Sequence, residues 1–128
     1  MRVPDVEKAA RALLSELTPS PTTVGIGVPS DWTKDSPDHL QVGWDGTRTP
    51  PHRLTSQALI RVTAWASSTS QAKDLALDAE ARLCAHDGTG VISTIRPATG
   101  VLPARDPDTG AELATFTVSM TVRSTPLA

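Results

Sequence analysis

Strict alternation of apolar and polar residues marks two strands, and apolar residues recurring every three or four positions mark two helices. Over 54–66, Ala58, Ile60, Val62, Ala64 and Ala66 share one face, while Arg61, Thr63 and Trp65 take the other. Over 111–123, Ala114, Phe116, Val118, Met120 and Val122 turn inward, against Thr115, Thr117, Ser119 and Thr121. From Pro4 to Leu17 the stripe is Val6, Ala9, Ala10, Leu13, Leu14 and Leu17. Pro4 suits a first helical turn, where its missing N–H is not needed, and Thr18-Pro19-Ser20-Pro21 stops the helix. The second helix follows the capping oxygens of Ser67-Ser68-Thr69-Ser70 and runs to about His86, with Ala72, Leu75, Ala76, Ala79 and Leu83 as its stripe. Glu7 with Arg11, and Asp78 with Arg82, stand at the spacing of supporting ion pairs.

Shorter signals fill the rest. Thr23 to Val28 reads as a strand whose Gly25 and Gly27 mark close approach of another backbone. A polar loop over 29–38 carries Trp32, and His39 to Trp44 is a strand with Leu40, Val42 and Trp44 on one face. Asp45-Gly46 is a turn signal, so 45–53, with Pro50-Pro51, is expected to be loop. Val91 to Ile95 is a strand, and 97–110 is expected to be a loop ending in the tight turn Asp106-Pro107-Asp108-Thr109-Gly110. The order α-β-β-β-α-β-β predicts an α+β fold, with helices packed on a mixed or antiparallel sheet and a C-terminal β-hairpin. At 128 residues the chain fits a single domain over 1–128.

Composition narrows the partners. The formal net charge is −2, from 12 Lys+Arg against 14 Asp+Glu, which argues against tight non-specific binding to nucleic acid or an anionic membrane. One cysteine, Cys84, excludes an intrachain disulfide and every multi-cysteine metal pattern. The N-terminus carries no apolar run of a signal peptide, and no stretch is apolar for the ~18 residues that a membrane span needs, so a soluble protein is expected.

The residues suited to chemistry are scattered. His39, His52 and His86 show no metal-ligand spacing. Cys84 lies near a helix C-terminus, where the dipole opposes a thiolate. The Asp106–Gly110 segment lacks the further acidic ligands of a calcium loop, and Gly25-Ile26-Gly27 lacks the third glycine and the following helix of a dinucleotide site. Asp74, Asp78 and Glu80 are interleaved with Lys73 and Arg82, the pattern of a solvated helix face. The expectation is a non-enzyme, with no catalytic residue, cofactor or metal.

Four segments together resemble the tail terminator (tail completion) proteins of long-tailed bacteriophages, particularly those of actinobacteria. They are the helix Pro-Asp-Val-Glu-Lys-Ala-Ala-Arg-Ala-Leu-Leu from Pro4; the loop Val-Pro-Ser-Asp-Trp-Thr from Val28; Leu-Ile-Arg-Val-Thr-Ala-Trp-Ala-Ser-Ser-Thr from Leu59, running into an Ala/Leu-rich helix; and the stretch from Arg96 through Asp-Pro-Asp-Thr-Gly to Val118. The resemblance implies a structural virion protein at the tail-neck junction, assembled in the bacterial cytoplasm. It would form a homo-hexameric ring that caps the tube of major tail protein, ends its polymerisation and joins a head-tail connector or stopper protein. DNA would pass through the ring without sequence-specific binding, and no membrane is involved. The alternative is another neck component, such as a connector or stopper itself; a small enzyme and a monomeric binding module are the readings from other classes.

Loop content suggests where contacts lie. Proline-bearing stretches at 29–38, 45–53 and 97–110 carry Trp32, Arg48, Arg53, Arg105, Asp106 and Asp108, an aromatic with both charge signs. These are the expected interface residues, with Trp32 either an anchor for a partner or folded back on its own core. Replacing Trp32 by Ala, or Arg105 by Glu, is expected to weaken assembly and leave the monomer's melting unchanged.

Overall fold

Both helices start where a side-chain oxygen closes the first turn. The computed structural model describes residues 2–52 and 54–125. Helix α1 (Val6–Leu17) is capped by Asp5, which accepts from Lys8 N at 3.1 Å, and helix α2 (Thr69–Ala85) by Ser68, which accepts from Gln71 N at 3.2 Å. Pro4 therefore precedes the cap instead of occupying the first turn. At the other end, Thr18 takes an extended backbone and its hydroxyl donates to Leu14 O at 2.6 Å, closing α1 ahead of Pro19. Arg82 does not serve Asp78; its guanidinium donates to Leu17 O at 2.9 Å and ties the two helices together.

The strands are β1 (Thr23–Gly25), β2 (His39–Arg48), β3 (Thr55–Trp65), β4 (Ile92–Arg105) and β5 (Glu112–Arg123), so the order is α-β-β-β-α-β-β. They form one five-stranded sheet, β1-β2-β3-β5-β4. β1 is parallel to β2 and every other neighbour pair is antiparallel, which makes the sheet mixed and β4–β5 a C-terminal hairpin. Both helices pack on the same side. Leu40 and Val42, Ala58 to Ala66 at even positions, and Ala114 to Val122 at even positions share one buried cluster with Ala10, Leu13 and Leu14 of α1 and Ala72, Ala76 and Leu83 of α2. The alternation of β3 and β5 thus decides which face of the sheet is dry.

Three expectations fail locally. Asp45-Gly46 is a β-bulge, not a turn: the register slips between Trp44 and Gly46, Gly46 takes φ 127°, and β2 continues to Arg48. Trp44 shares the helix-side register with Leu40 and Val42, yet it is 54 % exposed, because it stands at the mouth of a groove beside the α1 N-terminus rather than under a helix. The expected loop over 97–110 is mostly strand, since β4 runs to Arg105 along the outer margin of the sheet. Prolines are tolerated there, where one row of backbone groups has no ladder to complete, and the slips at 97–99 and 99–102 absorb the irregularity. The first strand is shorter than expected, and the glycine reading holds only at Gly25, where a Cβ would stand 3.3 Å from Gly27 O and from the His39 ring; a Cβ on Gly27 would meet nothing within 4 Å.

Candidate interaction surface

Register sorts the expected interface residues to opposite ends of the sheet. His39 pairs with Trp65, Trp65 with Leu113, and Glu112 with Arg105, which defines one end. Arg48 pairs with Gln57 and Thr55 with Arg123 near the other. Trp32, Arg105, Asp106 and Asp108 belong to the first end and Arg48 to the second, so these residues do not form one patch; Arg53 lies outside the described residues.

At the first end, Trp32 folds back. Its ring meets Trp65 edge-on, with centroids 5.4 Å apart and planes at 71°, and its Nε1 donates to Pro37 O at 3.0 Å. Trp65 Nε1 in turn donates to Gln41 Oε1 at 3.1 Å. Both tryptophans are half-buried, and Leu113, cross-strand from Trp65, is buried outside the main core. The loop holding Trp32 is braced by its own turns: Trp32 N donates to Pro29 O at 3.0 Å and Thr33 N to Ser36 Oγ at 3.0 Å. Trp32 is therefore at once a packing residue and a partly open aromatic surface, the combination that contact hot spots use.

The Asp106 turn is the second rigid feature at this end. Asp106 N donates to Ala111 O at 2.9 Å, Gly110 N returns to Asp106 O at 2.8 Å, and Gly110 sits at φ 74°. The Thr109 hydroxyl and backbone N–H both donate to the Asp106 carboxylate, and these bonds hold its pKa below the usual carboxylate value. Arg105 donates weakly to Gly110 O at 3.4 Å and stands 3.7 Å from Glu112, while Asp108 is exposed.

The other end opens on the helix-free face. After the bulge, Arg48 lies opposite Gln57 and so faces outward with Gln57, Leu59, Arg61 and Thr63. It lines a cleft of about 380 Å³ together with His52, Thr55, Gln57 and Thr121, and among the described residues no carboxylate borders this cleft. His52 Nδ1 accepts from Leu54 N at 3.0 Å, which places the proton of the neutral ring on Nε2. Further along the same face, Arg61 grips Asp45 through Nε at 3.0 Å and Nη2 at 2.6 Å. Arg61 was legible in the sequence as an outward residue of β3. The outward positions of Arg48 and Arg96 were not, because Arg48 falls in a segment that reads as loop and Arg96 lies just past the strand read over 91–95.

The other two histidines have structural partners. His39 is buried, with Nε2 donating to Gly27 O at 2.7 Å and Nδ1 accepting from the Thr23 hydroxyl at 2.7 Å, so it pins β1 and the chain after it. His86 Nδ1 accepts from Gly88 N at 3.0 Å, just past the end of α2. Burial, and then the charge of Glu80 one turn earlier, push the Cys84 thiol pKa up, away from a nucleophile's range. Among the described residues no three His, Cys, Asp or Glu side chains are grouped to hold a metal ion, and no helix is long and apolar enough to cross a membrane. In comparisons with known proteins, no family model matches the chain and no curated protein is detectably similar to it.

Proposed function

We propose that the chain is a structural subunit of a long-tailed phage, a tail terminator that assembles as a ring on the tail tube, ends tube growth and joins the tail to the neck. The observation that carries this reading is the meeting of two of its resembling segments. Trp32 of Val-Pro-Ser-Asp-Trp-Thr and Trp65 of Arg-Val-Thr-Ala-Trp-Ala meet edge-on, with ring centroids 5.4 Å apart. The α-β-β-β-α-β-β order and the Asp-Pro-Asp-Thr-Gly hairpin are consistent with it. Rigid, hydrogen-bonded loops at one end of the sheet give a ring protein a fixed contact to repeat, which a heterologous interface closed by rotation requires.

The test is assembly with the purified chain. Light scattering and negative-stain microscopy should show rings of about six times the 13.5 kDa monomer, alone or on a tube end. Added to polymerising tail-tube protein, the chain should shorten the tubes. Tubes of unchanged length, with the chain instead bound to portal or connector rings, would replace the terminator with a connector or stopper; a monomer indifferent to both would sink the phage reading.

A further inference from the structure

The helix-free face of the sheet segregates charge against the trend of the chain. Overall, acids outnumber bases by 14 to 12. On this face the outward register positions hold Arg48 of β2, Arg61 of β3, Arg123 of β5 and Arg96 of β4, on four adjacent strands; Arg123 donates to Gly90 O at 2.9 Å, which leaves Arg48 and Arg96 as the pair that the contact uses. Among the described residues of this face the carboxylate set between them is Asp45, held by Arg61. Between the arginines stand the hydroxyls of Thr94, Thr99, Thr117, Ser119 and Thr121. Arginine, hydroxyl and amide side chains are the groups that contact phosphate and sugar in nucleic-acid complexes.

We infer that this half of the sheet face is a contact surface for the phosphate backbone of duplex nucleic acid. Arg48 and the His52 Nε2–H, set in the same cleft with Gln57 and Thr121, take one phosphate, and Arg96 takes another. Arg48, level with Thr121, and Arg96, level with Ser119, stand three strand spacings apart across the sheet and two residues apart along it, about 16 Å in all, a span that two long side chains can adjust to the ~12 Å width of a major groove. They can therefore reach phosphates on its two sides. Trp32 and Trp65 are engaged with each other at the far end, so this half offers no aromatic platform for bases and the contact is blind to sequence. The acids of the 29–38 loop and the overall charge of −2 keep it weak, which suits a duplex that must move past. The inference deepens the conduit reading and rests on it for the biological role of the duplex, but the contact belongs to the single subunit and is tested without a ring.

The experiment is an amide NMR titration of the full chain with a 12-base-pair duplex at about 20 mM salt, where phosphate contacts are least screened. Shifts should gather at Arg48, Gln57, Arg61, Arg96 and Ser119. The affinity should fall with salt at a log–log slope of roughly −2, as two phosphate contacts require. Arg48→Ala and Arg96→Ala, both exposed and expected to melt like the parent, should each flatten the slope by about one. Four results would overturn the inference: no shifts, shifts on the helical side, variants that bind like the parent, or inorganic phosphate at matched concentration moving the same resonances equally. Face resonances that move with protein concentration alone would also overturn it, by assigning the face to a second copy. Duplex binding by a chain that never forms rings would leave the contact standing and remove the terminator reading.

Discussion

Trp32→Ala separates packing from assembly. In the folded chain the Trp32 ring is half-buried against Trp65. A tryptophan buries up to ~250 Å², so about half of that, at ~25 cal/mol per Å², is worth about 3 kcal/mol. The edge-on pair adds ~0.5–1 kcal/mol, and residual compactness of the unfolded chain removes a comparable amount. The expected loss is about 2–3 kcal/mol, or roughly 8–12 °C in Tm at about 4 °C per kcal/mol for a domain of this length. Packing on Trp65 thus changes the expectation that melting stays the same. Total stability is typically ~5–15 kcal/mol, so the variant should remain folded at 20 °C, where assembly can still be scored. Trp32→Phe, which keeps a ring against Trp65 but loses the bond to Pro37 O, should recover about half of the loss. The assay is thermal circular dichroism alongside the fluorescence of the two remaining tryptophans, Trp44 and Trp65. A Tm within 2 °C of the parent for Trp32→Ala would refute the packing argument.

Ile60→Asp should abolish soluble folding, because Ile60 has no exposed surface and an unpaired buried carboxylate costs several kcal/mol; a cooperative melt of that variant would overturn the inward face of β3. Asp106 has a folded pKa below its unfolded value of about 3.8, so its contribution is present above that value and lost as pH falls through the folded pKa. Protection of the Thr109 amide, relative to its intrinsic exchange rate at each pH, should therefore fall only in strong acid in the parent, and be low at every pH in Asp106→Ala; equal protection in the two proteins would refute the turn's dependence on this carboxylate. Cys84 should alkylate with iodoacetamide more slowly at pH 8 than a model thiol, because burial and Glu80 disfavour its thiolate, and a faster reaction would contradict that environment.

How far the sequence could be read depended on how many neighbours constrained each segment. β3 and β5 lie inside the sheet with one dry face, so their composition had to alternate, and their inward residues were legible without a structure. β4 has one neighbour and β2 has a strand on both sides only over 39–41, so composition beyond was free to include Pro97, Pro103 and Asp45-Gly46. An Asp-Gly pair with a positive φ serves a bulge as well as a turn, and nothing local distinguishes them. That ambiguity carried through to the candidate site. Arg48 and Arg105 were assigned to loops and grouped with Trp32, whereas their strands place them at opposite ends of the sheet. The Asp106 turn was legible because Pro107 presets its own φ and Gly110 admits the positive φ of 74° that the turn needs.

The margin formed by β4 has a consequence for behaviour at high concentration. Between Arg96 and Arg105 the strand carries no charge, and Leu102 is 51 % exposed, features that would ordinarily template the growth of a fibril. Pro97 and Pro103 each withhold a donor, and the two slips between them skew whatever donors remain. An incoming strand finds an interrupted row and cannot zip along it. On the opposite margin β1 is three residues long, and the carbonyl just beyond it, Gly27 O, is already taken by His39. With elongation blocked at both margins, a crowded solution of this protein should stay dispersed, and copies that do join must do so through side chains and loops, where contact is finite in number and fixed in angle.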